Sequence, residues 1–267
     1  MEDGHRFDHA VLVVEDLARA SRDFESLGFT VVPGGEHPSF GSRNALIAFS
    51  DGAYLELLAF DGTPRREFAP GLERIALWRE RRGGLADFAV LPLRIEEDIA
   101  RAEARGLAVA GPFAGGRLRP DGRQVAWQLG LPQGFDVPFL CEDVTPRHLR
   151  VPDDARSEHP NGASGIRRIL VLVRDLKTSL SRYGALLGDE TVQGACAAEG
   201  SSTTLAVGRT AVALLSPSEE DGRLLSMFHA RGEGPFSLHL STSRPCPEHL
   251  LDPSRTSGAE ITLGSRG

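Results

Sequence analysis

The chain has 267 residues, of which 40% are hydrophobic and 25% charged, enough apolar material for a sizeable core and too much for a wholly disordered chain. Thirty basic against 37 acidic residues leave a net charge of -7, so no basic field gathers phosphates and nucleic-acid binding is disfavoured. No run reaches bilayer-spanning length, and the charged start Met1–Arg6 lacks a signal-type apolar stretch, so a cytoplasmic protein away from membranes is expected.

Phe7–Val14 is short, apolar and β-branched, which predicts a strand. Asp16 caps a helix whose Leu17, Ala20, Phe24 and Leu27 share one face, and Gly28 stops it. Strands over Thr30–Val32, Ala45–Phe49 and Tyr54–Phe60 follow, with Pro33-Gly34-Gly35 and Ser50-Asp51-Gly52 read as turns. The basic cluster at Arg79–Arg82 reads as solvated helix ends. A weaker copy of the same order comes next. It has a strand over Phe88–Leu93, a helix over Ile95–Ala104, a stop at Gly106, and strands over Val109–Phe113, Gln124–Leu129 and Val137–Glu142.

Ile166–Val173 opens a third copy, with a helix from Asp175 through Leu187 and a stop at Gly188. Strands near Thr191–Gln193, Thr203–Val207 and Thr210–Leu215 complete it. Aligning Asp16-Leu17 with Asp175-Leu176 gives an offset of 159, which lays Val11–Val14 on Leu170–Val173. A fourth, abbreviated copy starts at Pro235–Leu240 and runs out at Ile261–Leu263. Repetition of one βαβββ unit predicts an α+β fold of curved mixed sheets. The expected division is a first domain over 1–145, a linker over 146–164 rich in Pro, Asp, Gly and Ser, and a degenerate, shortened second domain over 165–267.

Cys141, Cys196 and Cys246 are far apart and odd in number, so neither a disulfide framework nor a thiolate zinc site is expected. Two other residues stand out. His9 shares a strand face with Val11 and Val13, where its ring nitrogens need partners; a structural histidine is the ordinary alternative to a ligand. Glu56 is the one carboxylate in a strand that otherwise reads as core. It must be paired, protonated or metal-bound, and a salt bridge to an arginine is the simplest of these.

The repeated units, opened by Asp8-His9 and closing one unit with Tyr54-Leu55-Glu56-Leu57, resemble the vicinal oxygen chelate superfamily and, within it, glyoxalase-like domain proteins. Gly34–Pro38, Gly41–Asn44, Arg119–Gly122 before Trp127, and His159–Gly162 carry the resemblance, which spans nearly the whole chain. It implies paired units curling a sheet around a cavity, as in glyoxalase and bleomycin-resistance proteins, often with one divalent metal (Mn, Fe, Ni or Zn). By the same resemblance His9 and Glu56 are the first two ligands. The partner unit would supply more, but Phe88 aligns with its opening position and cannot ligate, and Glu142 serves only if its register suits. His37 becomes a rim residue, general base or ligand; with Glu142 it is the candidate for moving protons. Asn44, Tyr54, Arg119 and Trp127 are candidate substrate contacts, Arg119 for an anionic group. In the second half Arg168 falls where His9 stands and Ala213 near the place of Glu56, so that half is expected to be structural or to pair with another copy.

Three functions follow. The first is a metal-dependent lyase, isomerase or ring-cleaving dioxygenase acting on a small molecule. The second is a metal-free protein that binds or sequesters a small molecule, as bleomycin-resistance proteins do. The third is a ligand-binding regulator working as a homodimer.

Overall fold

The computed structural model describes residues 4–61, 73–80, 83–193, 196–199 and 201–265. The first unit is β1 (Arg6–Val13), α1 (Leu17–Ser26), β2 (Val32–His37), β3 (Ser42–Ala48) and β4 (Tyr54–Phe60). Helix α2 (Glu73–Glu80) leads into the second unit: β5 (Gly84–Leu91), α3 (Ile95–Ala104), β6 (Val109–Leu118), β7 (Gln124–Pro132) and β8 (Phe139–Asp143). These eight strands close into a barrel in the order β1-β4-β3-β2-β6-β7-β8-β5. Each unit thus contributes four neighbouring strands. One seam is the long antiparallel β1/β5 pairing, and the other is narrow, with Glu36 opposite Leu118 between β2 and β6.

After the short helix α4 (Arg147–Arg150), a second sheet is built from β9 (Ala163–Leu172) onward. Helices α5 (Leu176–Leu187) and α6 (Asp189–Gln193) precede β10 (Cys196–Glu199), β11 (Ser202–Val207) and β12 (Thr210–Leu215). Helix α7 (Gly222–Arg231), β13 (Gly234–Thr242), β14 (His249–Leu250) and β15 (Glu260–Gly264) follow. This sheet stays open, in the order β10-β11-β12-β9-β13-β15-β14.

The largest apolar cluster lies between the two sheets and under the helices. Ala10, Leu12, Phe88 and Val90 on the outer face of β1 and β5 join Ile166, Ile169, Val171 and Leu238 of the second sheet. That is why β1 reads as an unbroken apolar run: it is buried on both faces. A separate cluster, including Val11, Leu58, Trp78, Trp127 and Phe139, fills the barrel interior. Asp16 caps α1 through the Arg19 N–H (3.0 Å), and Asp175 caps α5 through the Thr178 N–H (2.7 Å), as the repeat predicts. No helix among the described residues is long and apolar enough to cross a membrane.

Some elements differ from the sequence reading. Pro33-Gly34-Gly35, expected as a turn, lies inside β2, which runs on to His37. Glycine permits this: a Cβ on Gly34 would stand 2.0 Å from Asn44 Oδ1, and Gly35 (φ +139°) passes so close to Leu118 that a Cβ would meet its carbonyl oxygen at 2.1 Å. Thr191–Gln193, expected as a strand, closes α6, whose first turn carries Asp189 and Glu190 where acidic residues suit a helix start. Helices α2 and α7 were not anticipated. Of the Arg79–Arg82 cluster, Arg79 belongs to α2, and Arg81 and Arg82 lie outside the described residues. His159, in the connecting segment, is structural: its Nδ1 accepts from the Thr30 N–H (2.9 Å) and its Nε2 faces the Ala48 carbonyl at 3.0 Å.

Candidate functional site

The barrel interior holds a small, largely enclosed chamber. His9, His37, Asn44, Tyr54, Glu56 and Trp127, all singled out from the sequence, line it. Aromatic and aliphatic walls come from Phe40, Leu58, Phe60, Trp78 and Phe139.

His9 is fixed first. An extra residue in β1, Asp8, interrupts the pairing with β5, so this carboxylate sits beside the neighbouring imidazole instead of across the strand. Asp8 Oδ2 lies 2.6 Å from His9 Nδ1, which assigns the proton to Nδ1 and leaves Nε2 toward the chamber. The ring stacks on Tyr54, centroids 4.5 Å apart, and meets the Phe139 edge at 5.4 Å. Burial pushes the Asp8 carboxyl up, but Arg150, Arg147 and His9 outweigh it and hold it well below the usual carboxylate range. Arg150 donates to Asp8 (2.8 Å) and to the Tyr54 hydroxyl (2.8 Å), and it also pairs with Asp143.

Glu56 is on the same side of the sheet as His9, with Oε2 3.6 Å from Nε2, too long for a direct hydrogen bond. Its other oxygen accepts from Asn44 Nδ2 at 2.6 Å. The expected arginine partner is absent among the described residues; a neutral amide holds this carboxylate instead. His37 Nδ1 lies 3.0 Å from Ser42 Oγ, and its ring meets Trp127 edge-on at 5.7 Å. It is a buried residue at the end of β2, and burial lowers its pKa to about 4 against the opposing pull of Glu56.

Two expected site residues fall elsewhere. Glu142 lies on β8 between inward-facing Cys141 and the barrel-end Asp143, so its side chain points out, where Oε2 accepts from the Ile95 N–H at the start of α3 (3.3 Å). It is not among the residues that line the chamber. Arg119 lies past the end of β6, held by Asp121 (3.0 Å) and the Leu149 carbonyl (2.5 Å), and does not line the chamber. The arginines in its lining are Arg117, two residues earlier in β6, and Arg150 of α4. Cys141 is buried in the chamber wall, and burial pushes its thiol up to about 12, which suits an inert side chain.

The pairing register locates the four positions from which this fold could build a metal centre. The helix starts at Asp16 and Arg94 give an offset of 78, which carries His9 onto Asp87. The β1/β5 register repeats the relation: Val11 faces Asp87, and His9 faces Ala89. Along the parallel pairs, Val11 faces Glu56 and Ala89 faces Phe139, so Phe139 holds the place of Glu56. The sequence alignment on Phe88 was therefore one residue out, and the true counterpart of His9 is a carboxylate. That carboxylate is fully committed. Arg74 of α2 grips Asp87 through Nε (2.6 Å) and Nη2 (2.5 Å), and Trp78 Nε1 donates to it at 2.9 Å. Arg74 in turn donates to the carbonyls of Pro132, Gly134 and Val137.

The donor set for a divalent ion is thus one imidazole and one carboxylate, with a guanidinium on the third position and a phenyl ring on the fourth. Among the described residues no three His, Cys, Asp or Glu side chains converge as a cation cage. Three or four protein ligands are the rule for such centres, so these residues do not fit one.

The glyoxalase-like domain family matches residues 7–187. The chain belongs to that family. Its fold is similar to that of a hypothetical protein from Staphylococcus aureus (TM-score 0.77, 15% identity, 98% of this chain and 100% of that one). It is also similar to a triple mutant of 4-hydroxymandelate synthase from Streptomyces coelicolor (TM-score 0.60, 15% identity, 99% and 94% of the two chains). A fusion of a xylose isomerase-like TIM barrel with a 4-hydroxyphenylpyruvate dioxygenase matches at TM-score 0.52 and 16% identity, covering 90% of this chain and 37% of that one. No curated protein matches the sequence. At these identities the structural neighbours establish architecture, and function has to be argued from the chamber.

Asp8, Asp87, Arg74, Arg117 and Arg150 are the residues that sequence reasoning missed. Asp8 follows the strand alternation onto the wrong face unless the bulge is known. Arg74 and Arg150 come from short helices whose position over the barrel has no local signature. Arg117 had a signal: it follows Gly115-Gly116, and a Cβ on Gly115 would meet Trp127 Nε1 at 2.2 Å, so this stretch of β6 is shaped around the chamber wall.

Proposed function

We propose that this glyoxalase-like protein takes a small organic molecule into the barrel of residues 1–145 and holds it with its own side chains, without a protein-built metal centre. The observation that carries this reading is the Arg74–Asp87–Trp78 clamp, which commits the carboxylate at the third ligand position to the protein interior. What remains is an aromatic enclosure with a few aimed polar groups, the usual make-up of a small-molecule site.

A second reading adds chemistry. The carboxylate–imidazole pair Asp8–His9 presents Nε2 to the chamber, an arrangement suited to accepting a proton from a bound ligand. Phe139 and Tyr54 exclude water from it, and Glu56 stands by to stabilise the imidazolium.

The test uses chelator-treated protein titrated with phenylacetamide and phenylacetate, read by tryptophan fluorescence. Saturable one-to-one binding of either, abolished by Trp127→Leu and unchanged by added Mn, Fe(II), Ni or Zn, is expected. Absence of saturable binding, or binding that appears only with a metal, overturns the proposal.

A further inference from the structure

Arg117 is the group that the chamber leaves unexplained. It is only 5% exposed and lines the cavity. Its Nη2 donates to the Arg150 carbonyl at 2.6 Å, and its Nε has no hydrogen-bond partner. Among the described residues no carboxylate lies within ion-pair distance of it. The other buried arginines are all matched: Arg74 by Asp87, and Arg150 by Asp8 and Asp143. Glu56 shares the chamber but is engaged by Asn44 and stands beyond ion-pair reach of Arg117. Burying a guanidinium with an idle donor and no carboxylate in ion-pair contact is unfavourable, and burial lowers its pKa, with Tyr54 and Glu56 opposing from a distance. A counter-ion arriving with the ligand removes that penalty, and a guanidinium in a dry enclosure binds a planar oxyanion far better than it does in water.

We infer that the chamber is built for a small organic anion, with a carboxylate-type group on Arg117 and an apolar, flat body among Trp127, Phe139 and Leu58. The walls set the second half of that description: Trp127 and Phe139 offer ring surfaces, and Leu58 an aliphatic one, while the other arginine in the lining, Arg150, is already matched by Asp8 and Asp143. Glu56 and the chamber-facing lone pair of His9 disfavour a dianion, so a monoanion is the class selected.

This inference rests on the small-molecule reading above, and its test is arranged to separate the two. Phenylacetate and phenylacetamide have nearly the same shape and differ in charge. Their affinities are measured by calorimetry at constant ionic strength for the wild type and for Arg117→Met. The wild type is expected to prefer the acid at least tenfold. The Met variant is expected to bind the amide as the wild type does and to lose the preference for the acid. If the Met variant does not fold, Arg117→Gln keeps a donor, removes the charge and must show the same loss. Equal affinity of the wild type for both probes overturns the anion inference and leaves the small-molecule reading standing. A preference that survives loss of the Arg117 charge likewise overturns it. Binding of neither probe overturns both.

Discussion

The two units of the barrel turn the same backbone positions to the barrel interior and fill them in opposite ways. In the first unit, the positions hold His9 and Glu56, and their nearest partners are an acid on the far side of the imidazole and a neutral amide on the carboxylate. In the second, they hold Asp87 and Phe139, and the carboxylate is met by a guanidinium and an indole N–H. The strand framework therefore fixes where a side chain points, whereas elements outside the framework decide whether it stays available. Helix α2 closes the second unit's polar position; among the described residues nothing comparable closes the first.

The largest expected effect comes from opening the closed side. Arg74→Ala leaves Asp87 buried with only Trp78 and the Phe88 N–H as donors, and removing one partner of a buried pair costs about 3–5 kcal/mol. Replacing both, as Arg74→Met with Asp87→Leu, should recover most of that loss, because no buried charge is then stranded. Urea unfolding midpoints at constant m-value measure both. A loss below about 1 kcal/mol for the single variant would show that the clamp is incidental and would reopen Asp87 as a ligand.

The next effect is on the open side and depends on pH. His37 is kept neutral by burial, with Arg117 lowering its pKa further and Glu56 opposing, for a value of about 4. A depressed histidine pKa stabilises the fold fully above its ordinary value of 6.5, and that contribution is lost as pH falls toward 4. His5, also lowered to about 4 by burial with Arg101 adding and Glu190 opposing, behaves the same way at the edge of the barrel, where it contacts Asp98 (3.0 Å). Each histidine should therefore remove about 1.4 kcal/mol of stability per pH unit over that window. Denaturation midpoints between pH 7 and pH 4 in His37→Gln should show a slope shallower by one proton than the wild type. An unchanged slope would mean that His37 takes up a proton without unfolding, and so that the chamber tolerates a cation there.

Gly34 tests how Glu56 is held. Alanine at this position must push the Asn44 carboxamide away from β2 and off the Glu56 oxygen, an overpacking cost of about 1–3 kcal/mol. In an Asn44→Ala background the space is free, and the same Gly34→Ala change should cost about 1 kcal/mol less. Additive costs in the double-mutant cycle would show that Gly34 serves strand geometry alone.

Much of the architecture is legible in the sequence because it repeats. Asp16-Leu17 and Asp175-Leu176 mark equivalent helix starts, and the structure keeps the 159-residue offset in its pairing: Arg168 and Leu170 sit on β9 as His9 and Val11 do on β1, and Leu170 faces Ala213 as Val11 faces Glu56. Six chamber residues were also readable, since a polar side chain in an apolar strand, or an aromatic next to small residues, is an anomaly on its face. What was not readable depends on long-range closure. Asp87 looks like a strand-edge acid until the β1/β5 register is known, and an alignment one residue off hands its place to Phe88. Arg119 and Arg117 have equal claims in sequence, and only the end of β6 at Leu118 separates the one outside from the one inside. Arg150 sits in the connecting segment, whose composition suggests a passive surface linker, yet its side chain is wholly buried and ties Asp8, Asp143 and Tyr54 together.

The smallest expected effect is the one that bears most directly on the open pair. With its proton on Nδ1 toward Asp8, His9 presents a lone pair to Glu56 Oε2 across 3.6 Å, so two acceptors face each other there. Glu56→Gln keeps the shape, can still accept from Asn44, and places an N–H opposite His9 Nε2. The variant should be neutral or more stable by up to about 1 kcal/mol, the scale of one net hydrogen bond. A site that relied on the carboxylate to bind a cation would respond otherwise: addition of Mn or Zn would raise the melting temperature of the wild type and not that of the variant. Equal melting curves for both proteins with and without metal are expected. A metal-dependent gap between them would restore His9 and Glu56 as ligands and make the clamp on Asp87 a feature of an unusually sparse metal centre.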